Sequence, residues 1–157
     1  MATVIETEVS KGIAKALRIG AGIRTVHKRA FDTGINSLID DALRKGIRMS
    51  VAESIRAELA MNESNLARYL GVSLSTIKRK RAMQGRLSVQ ESDRLYRLVR
   101  IYSLASVVLG SKENAREWLI EPQFGLDGAR PMELLQTEVG TRHVEEFLIR
   151  AEYGDLL

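Results

Sequence analysis

Ser73-Leu74-Ser75-Thr76-Ile77-Lys78-Arg79-Lys80-Arg81 puts three hydroxyl side chains and four cations into nine residues. That mixture suits a polyanion. Hydroxyls at the start of a helix donate to phosphates and base edges, while arginine and lysine hold phosphates or read guanine. Ser73, Ser75, Thr76, Lys78, Arg79, Lys80 and Arg81 are therefore the expected DNA contacts. Lys78 or Arg79, nearer the helix start, is the expected reader of a base, and Lys80 and Arg81 are the expected phosphate holders. The competing reading is a helical hairpin with a solvated basic face, since a short charge run alone carries little information.

No other constellation supports a reaction. The two histidines, His27 and His143, sit on separate segments, and there is no cysteine. Disulfides, zinc fingers, iron–sulfur sites and thiol catalysis are thereby excluded. Asp40 and Asp41 are adjacent carboxylates, but neighbours on a helix diverge by about 100° and cannot share one site. Gly125, Gly128, Gly140 and Gly154 lie in an acidic stretch without the lysine of a phosphate loop, and read as backbone turns. No catalytic residue, cofactor or metal is expected.

A basic run reads DNA only if a tight scaffold presents it. Glu63 to Gly71 followed by Ser73 to Arg81 has the pattern of a helix-turn-helix. Ala67 lets the second helix approach, Gly71 suits a left-handed turn, and Leu66, Leu70, Val72 and Ile77 supply a small core. Lys80 stands where many such motifs carry an apolar residue, so the end of the second helix is expected to pack differently or to extend.

Around this pair the periodicity predicts further helices. Ile35, Leu38, Ile39, Ala42 and Leu43 make one apolar face, ending at Gly46. Ser50 with Glu53, and Ser88 with Glu91, read as capping boxes. Ser64 or Asn62, Ser73 and Ser111 are further expected caps. The second box opens a long helix from Ser88 to Leu109. A helix carrying Ala115, Trp118 and Leu119 must stop before Pro122, Pro131 opens another, and a last one runs from Thr141 to about Ala151. Trp118 reads as a core side chain rather than a contact. Residues 1–10 read as mobile, and 11–30 as a helix weakened by glycines. No strand alternation or repeat is evident, so the expected fold class is all-α.

With 157 residues, 45% apolar and 28% charged, the chain has the balance of an ordinary globular protein. It lacks a signal peptide pattern and any apolar run long enough to span a membrane, so a cytoplasmic protein without a membrane partner is expected. The net charge of +4 is unevenly spread: +3 over residues 1–58, +6 over 59–110 and −5 over 111–157. A basic middle beside an acidic end suggests two surfaces for two partners.

The last third carries Ala115, Trp118-Leu119, Pro122, Phe124-Gly125-Leu126-Asp127-Gly128-Ala129-Arg130-Pro131-Met132-Glu133-Leu134-Leu135, Thr137-Glu138-Val139-Gly140, Val144 and Tyr153-Gly154. Upstream stand Gly85-Arg86-Leu87-Ser88 and Glu91-Ser92-Asp93-Arg94-Leu95. In this order, over roughly residues 45–157, they resemble antitoxins with an Xre-type DNA-binding part and an MbcA/ParS toxin-binding part. Phe124 departs from that pattern, which usually has a shorter or polar residue in the loop. The resemblance implies an antitoxin that neutralises a RES-domain toxin acting on NAD⁺ or a related nucleotide, and that represses its own operon. Against such a toxin, the charge and tail chemistry of this region make Arg130, Glu133, Glu138, Glu145, Glu146, Tyr153, Asp155, Leu156 and Leu157 the expected contacts. The carboxylates of the tail would stand where phosphates bind.

The expected organisation is an N-terminal helical segment over residues 1–48 that dimerises, a helix-turn-helix domain over 49–109 and a toxin-binding domain over 110–157. The expected partners are operator DNA, a RES-domain toxin and a second copy of the chain, since a palindromic operator needs two recognition helices. The alternative is a stand-alone, phage-repressor-like regulator whose C-terminal part is a dimerisation module.

Overall fold

Helix-forming residues separated by short capping segments set the fold, and the computed structural model describes it over residues 28–154, with side chains from Ser37 onward. Expectations for residues 1–27, for the Ile35 side chain and for Asp155, Leu156 and Leu157 lie outside the described residues. Helix α1 (Lys28–Lys45) is followed by α2 (Met49–Glu58), α3 (Glu63–Leu70), α4 (Leu74–Ala82) and the long α5 (Val89–Val108). Then come α6 (Lys112–Ile120), a 3-10 turn (Phe124–Leu126), the single-turn α7 (Pro131–Leu134) and α8 (Glu138–Tyr153). Among the described residues there is no strand, only an isolated antiparallel bridge between Arg48 and Arg86. The fold is all-α. No described helix is long and apolar enough to cross a membrane.

Helices α3, α4, α5 and α6 carry caps that the sequence predicts, and α8 carries one that it does not. Asn62, Ser73, Ser111 and Thr137 each accept a hydrogen bond from the backbone N–H three residues on. Ser88 and Glu91 form a reciprocal capping box: the Ser88 N–H donates to Glu91 Oε2 at 2.8 Å, and the Glu91 N–H donates to Ser88 Oγ at 3.2 Å. Ser50 and Glu53 do not. Helix α2 begins earlier, at Met49, because the Met49 N–H is captured by the Gly85 carbonyl at 2.9 Å. Ser50 therefore sits inside the helix, and Glu53 turns to arginines. The last helix also starts earlier than expected, capped by Thr137.

The described chain forms two compact units that divide inside α5, between Tyr96 and Arg97, rather than at its end near residue 109. In the first unit, Met49, Ala52, Leu66, Ile77 and Leu95 are almost wholly removed from water. The Ile47 N–H donates to the buried Ser92 Oγ at 2.9 Å, tying the α1–α2 link to the start of α5. In the second unit the buried set includes Leu98, Ile101, Leu119, Leu126, Leu135 and Leu148. Trp118 and Phe147 stack there with ring centroids 6.1 Å apart.

Candidate nucleic-acid interface and second binding surface

Helices α3 and α4 are joined by three residues, and the turn depends on Gly71, which has φ +72°. A side chain there would also collide with the guanidinium of Arg94. That guanidinium donates to the Leu70 carbonyl at 2.8 Å, while the Tyr69 hydroxyl donates to the Arg94 carbonyl at 2.8 Å. The end of α3 is thus latched to α5 by two reciprocal hydrogen bonds, and the cation meets the negative end of a helix. Nothing in the local sequence marks Arg94 for this role.

At the start of α4 the Ser73 hydroxyl lies 2.8 Å from Ser75 Oγ and 2.9 Å from Thr76 Oγ1, beside its capping bond from the Thr76 N–H. Three expected contact residues are therefore gathered into one hydroxyl cluster at the positive end of a helix. Ile77, fully buried, sets the phase of the remaining turns of α4. Ser75, Lys78 and Arg79 are exposed on the opposite side, and neither cation makes an ion pair among the described residues.

Lys80 and Arg81, expected to hold phosphates, do not join that face. They come three and four positions after Ile77, where a helix returns to the same side. The Lys80 ammonium pairs with Glu91 at 2.9 Å and donates to the Arg86 carbonyl at 3.0 Å. Arg81 bridges Glu53 and Glu63, each at 2.6 Å. Burial pushes the Glu53 carboxyl up, but hydrogen bonds and charge from Arg56 and Arg81 outweigh it and hold the group below its ordinary value. The Arg81 guanidinium is pushed up by its bonds to Glu53 and Glu63. The polar partner at Lys80 accounts for the departure seen in the sequence: Glu91, the capping residue of α5, stands where an apolar contact would otherwise be.

The second unit offers different chemistry. Arg130 and Glu133 are exposed and pair with each other at 3.2 Å. Glu138 lies 4.0 Å from both Arg100 and Arg142, and Glu145 lies 3.3 Å from Arg100. Glu146 is exposed, as is Tyr153 at the end of α8. The expected contacts are therefore spread over the α7 and α8 segments rather than gathered at a cleft. Trp118 is half-buried in its stack with Phe147. What the expected residues omitted is apolar: Ile120, Phe124, Val139 and Ile149 all reach solvent. Gly128 and Gly154 have positive φ and are turns, whereas Gly125 and Gly140 are places of close approach, to the Phe147 ring and the Leu134 carbonyl. Among the described residues no group of side chains could hold a metal ion.

A helix-turn-helix with free cations on its second helix, joined to a separate helical unit with an acidic and apolar surface, defines a DNA-binding protein with an appended partner-binding domain. Comparison with known families agrees in both halves. The Xre-like antitoxin helix-turn-helix domain matches residues 39–100, and the Xre/MbcA/ParS C-terminal toxin-binding domain matches residues 103–154. The chain is 29% identical to "Antitoxin Xre" of Yersinia enterocolitica over 119 residues, covering 75% of this chain and 80% of that protein. It is 37% identical over 83 residues to "Antitoxin Xre" of Pseudomonas putida, covering 53% and 52%. A third relative, "Antitoxin Xre" of Photorhabdus laumondii, is 26% identical over 113 residues, covering 71% and 76%. The chain belongs to the Xre-type antitoxins of toxin–antitoxin modules.

Proposed function

We propose that this antitoxin neutralises a RES-domain toxin that degrades NAD⁺ and represses its own operon by binding operator DNA as a homodimer. The observation that carries the reading is the union, in one chain, of unpaired cations on a helix-turn-helix with a toxin-binding domain of acidic and apolar surface. The RES assignment is supported by the ordered motifs of residues 110–154, which resemble antitoxins of that pairing. The DNA contacts are Ser73, Ser75, Thr76, Lys78 and Arg79, with Lys80 and Arg81 holding the helix that presents them. Dimerisation through residues 1–48 is supported by Leu38, which is exposed on α1 beside the buried Ile39.

Neutralisation falls to the C-terminal part. The tail Tyr153-Gly154-Asp155-Leu156-Leu157 enters the toxin pocket, its carboxylates occupying phosphate positions and Tyr153 packing at the mouth. Arg130, Glu133, Glu138, Glu145 and Glu146 dock the rim. A second reading, a stand-alone regulator that dimerises through its C-terminal unit, draws on the exposed apolar positions Val139, Ile149 and Tyr153 of α8.

The test is co-expression with the product of the adjoining reading frame, then size-exclusion chromatography and measurement of cellular NAD⁺. A complex that preserves NAD⁺, and loses that protection when residues 153–157 are removed, supports the reading. Absence of any complex leaves the stand-alone regulator. Full protection by the shortened chain removes the tail from the mechanism.

A further inference from the structure

Phe124 is 101% exposed, the most solvent-accessible large apolar side chain among those described. An isolated exposed aromatic is ordinary when it sits on a loose loop. This one sits on a built pedestal. The Gln123 N–H donates to the Ala129 carbonyl at 3.1 Å, and the Leu126 and Gly128 N–H groups donate to the Gln123 carbonyl at 3.0 and 2.9 Å. The Gln123 side chain reaches back to the Trp118 and Glu121 carbonyls at 3.2 and 3.1 Å. Asp127 closes the turn with φ +55°, in the left-handed region. Leu126 is buried to 1% and anchors the turn from below. Gly125 lies so close to the Phe147 ring that any side chain there would meet it, and Phe147 is itself backed by Trp118.

The turn thus buries Leu126 and presents Phe124 to water. Such an arrangement fixes the backbone that carries the ring, so that binding has only the ring's own rotamers left to order, which is the physical profile of an interface anchor. Its surroundings indicate the occupant. In the same segment Arg116 and Arg130 are paired to Glu113 and Glu133, whereas Glu117, Glu121 and Asp127 make no ion pair among the described residues. Ile120 adds a second exposed apolar side chain. The complement is an apolar pocket rimmed by lysine or arginine on a protein surface, and the matched toxin-binding domain includes all of these residues.

We propose that Phe124 is an anchor of the toxin interface, inserting into an apolar, cation-rimmed pocket on the toxin. The inference rests on the antitoxin reading and is independent of whether the tail enters the toxin's active site.

The experiment measures binding of the full chain to the separately purified product of the adjoining reading frame, using wild type, Phe124→Leu and Phe124→Ser. Thermal melting and light scattering of each free antitoxin accompany it. The expected result is a loss of affinity of at least about 30-fold for Phe124→Ser, which corresponds to about 2 kcal/mol, and a much smaller loss for Phe124→Leu. Melting temperature and free-state mass should be unchanged, because the ring supports nothing within the fold. Phe124→Ser binding within threefold of wild type overturns the proposal. So does a change in free-state mass without a change in toxin affinity, which would assign the ring to a second copy. If the wild-type chain does not bind, the antitoxin pairing with that protein falls first and the anchor falls with it.

Discussion

Large apolar side chains reach solvent at Leu38, Met83 and Val89 in the first unit, but at Ile120, Phe124, Val139, Ile149 and Tyr153 in the shorter second one. Their ion pairs differ as well. In the helix-turn-helix unit, beside the local pairs Arg44–Asp40, Lys45–Asp41 and Arg56–Glu53, Lys80–Glu91 and Arg81 with Glu53 and Glu63 join different helices and are partly buried. In the toxin-binding unit, Arg116–Glu113, Arg130–Glu133 and Arg142–Glu138 are local contacts along one segment, and Arg100 makes the longer-range pairs, with Glu138 and Glu145. The contrast reflects the partners. A DNA backbone is met by a few cations on a helix whose orientation must be fixed, so the neighbouring Lys80 and Arg81 hold the helix while Lys78 and Arg79 stay free. A protein partner is met by apolar area with a charged rim, so charges can stay loose while apolar groups are held out.

The comparison breaks most visibly at Ile77. Truncating this fully buried side chain in Ile77→Ala should lower stability by about 2–5 kcal/mol in denaturant titrations and abolish operator binding in gel-shift assays. Toxin affinity at low temperature should persist. A parallel loss of toxin binding would show that the two surfaces do not work separately.

Arg81 and Arg79 give a finer division within one helix. Arg81→Ala removes the partner that Glu53 and Glu63 share and should lower stability by about 1 kcal/mol, since solvent screens a part-exposed guanidinium and Glu53 keeps Arg56. The salt dependence of its operator binding should stay near wild type. Arg79→Ala should do the reverse: unchanged melting, with the slope of log affinity against log salt reduced by about 0.9 if the side chain holds one phosphate. Equal salt slopes for the two variants would mean that the ion pairs of Arg81 with Glu53 and Glu63 do not exclude it from DNA.

The smallest expected effect is a pH dependence. Because the Glu53 carboxyl is held below its unfolded value of about 4.3, its contribution to stability is complete above that value and is lost as pH falls through the lower folded one. Acid unfolding of wild type should therefore steepen below about pH 4, and Glu53→Gln should flatten that limb. An identical acid profile for the two would remove Glu53 as the source.

Much of the scaffold was legible because it is local. Ser73, Asn62 and Ser111 cap as their types and positions indicate, and the Ser88–Glu91 box closes reciprocally. Ser50–Glu53 has the same spelling and fails, because Gly85, far along the chain, supplies the first bond of α2 and Arg56 and Arg81 take the carboxylate. The inward turn of Lys80 and Arg81 was available in principle, since Ile77 fixes the helix phase, but their acidic partners come from three other segments. Arg94 had no signal at all. Phe124 stood out in the sequence as a departure, yet the turn that carries it packs Gly125 against the Phe147 ring, which no spacing reveals.

The latch at Tyr69 and Arg94 bears on how the protein comes off the ribosome. All of α3 and α4 is synthesised by Ala82, and by helical content the DNA-reading motif is then complete. Its turn still lacks the guanidinium that covers Gly71 and satisfies the Leu70 carbonyl, and the Tyr69 hydroxyl lacks its acceptor. A nascent chain released there, or a fragment cloned to that boundary, carries the recognition helix without the clamp that orients it. The shortest autonomous DNA reader must run past Arg94 into α5, so the genetic cut between the two activities falls inside a helix, and fragments cut before it should bind operator weakly however well their helices form.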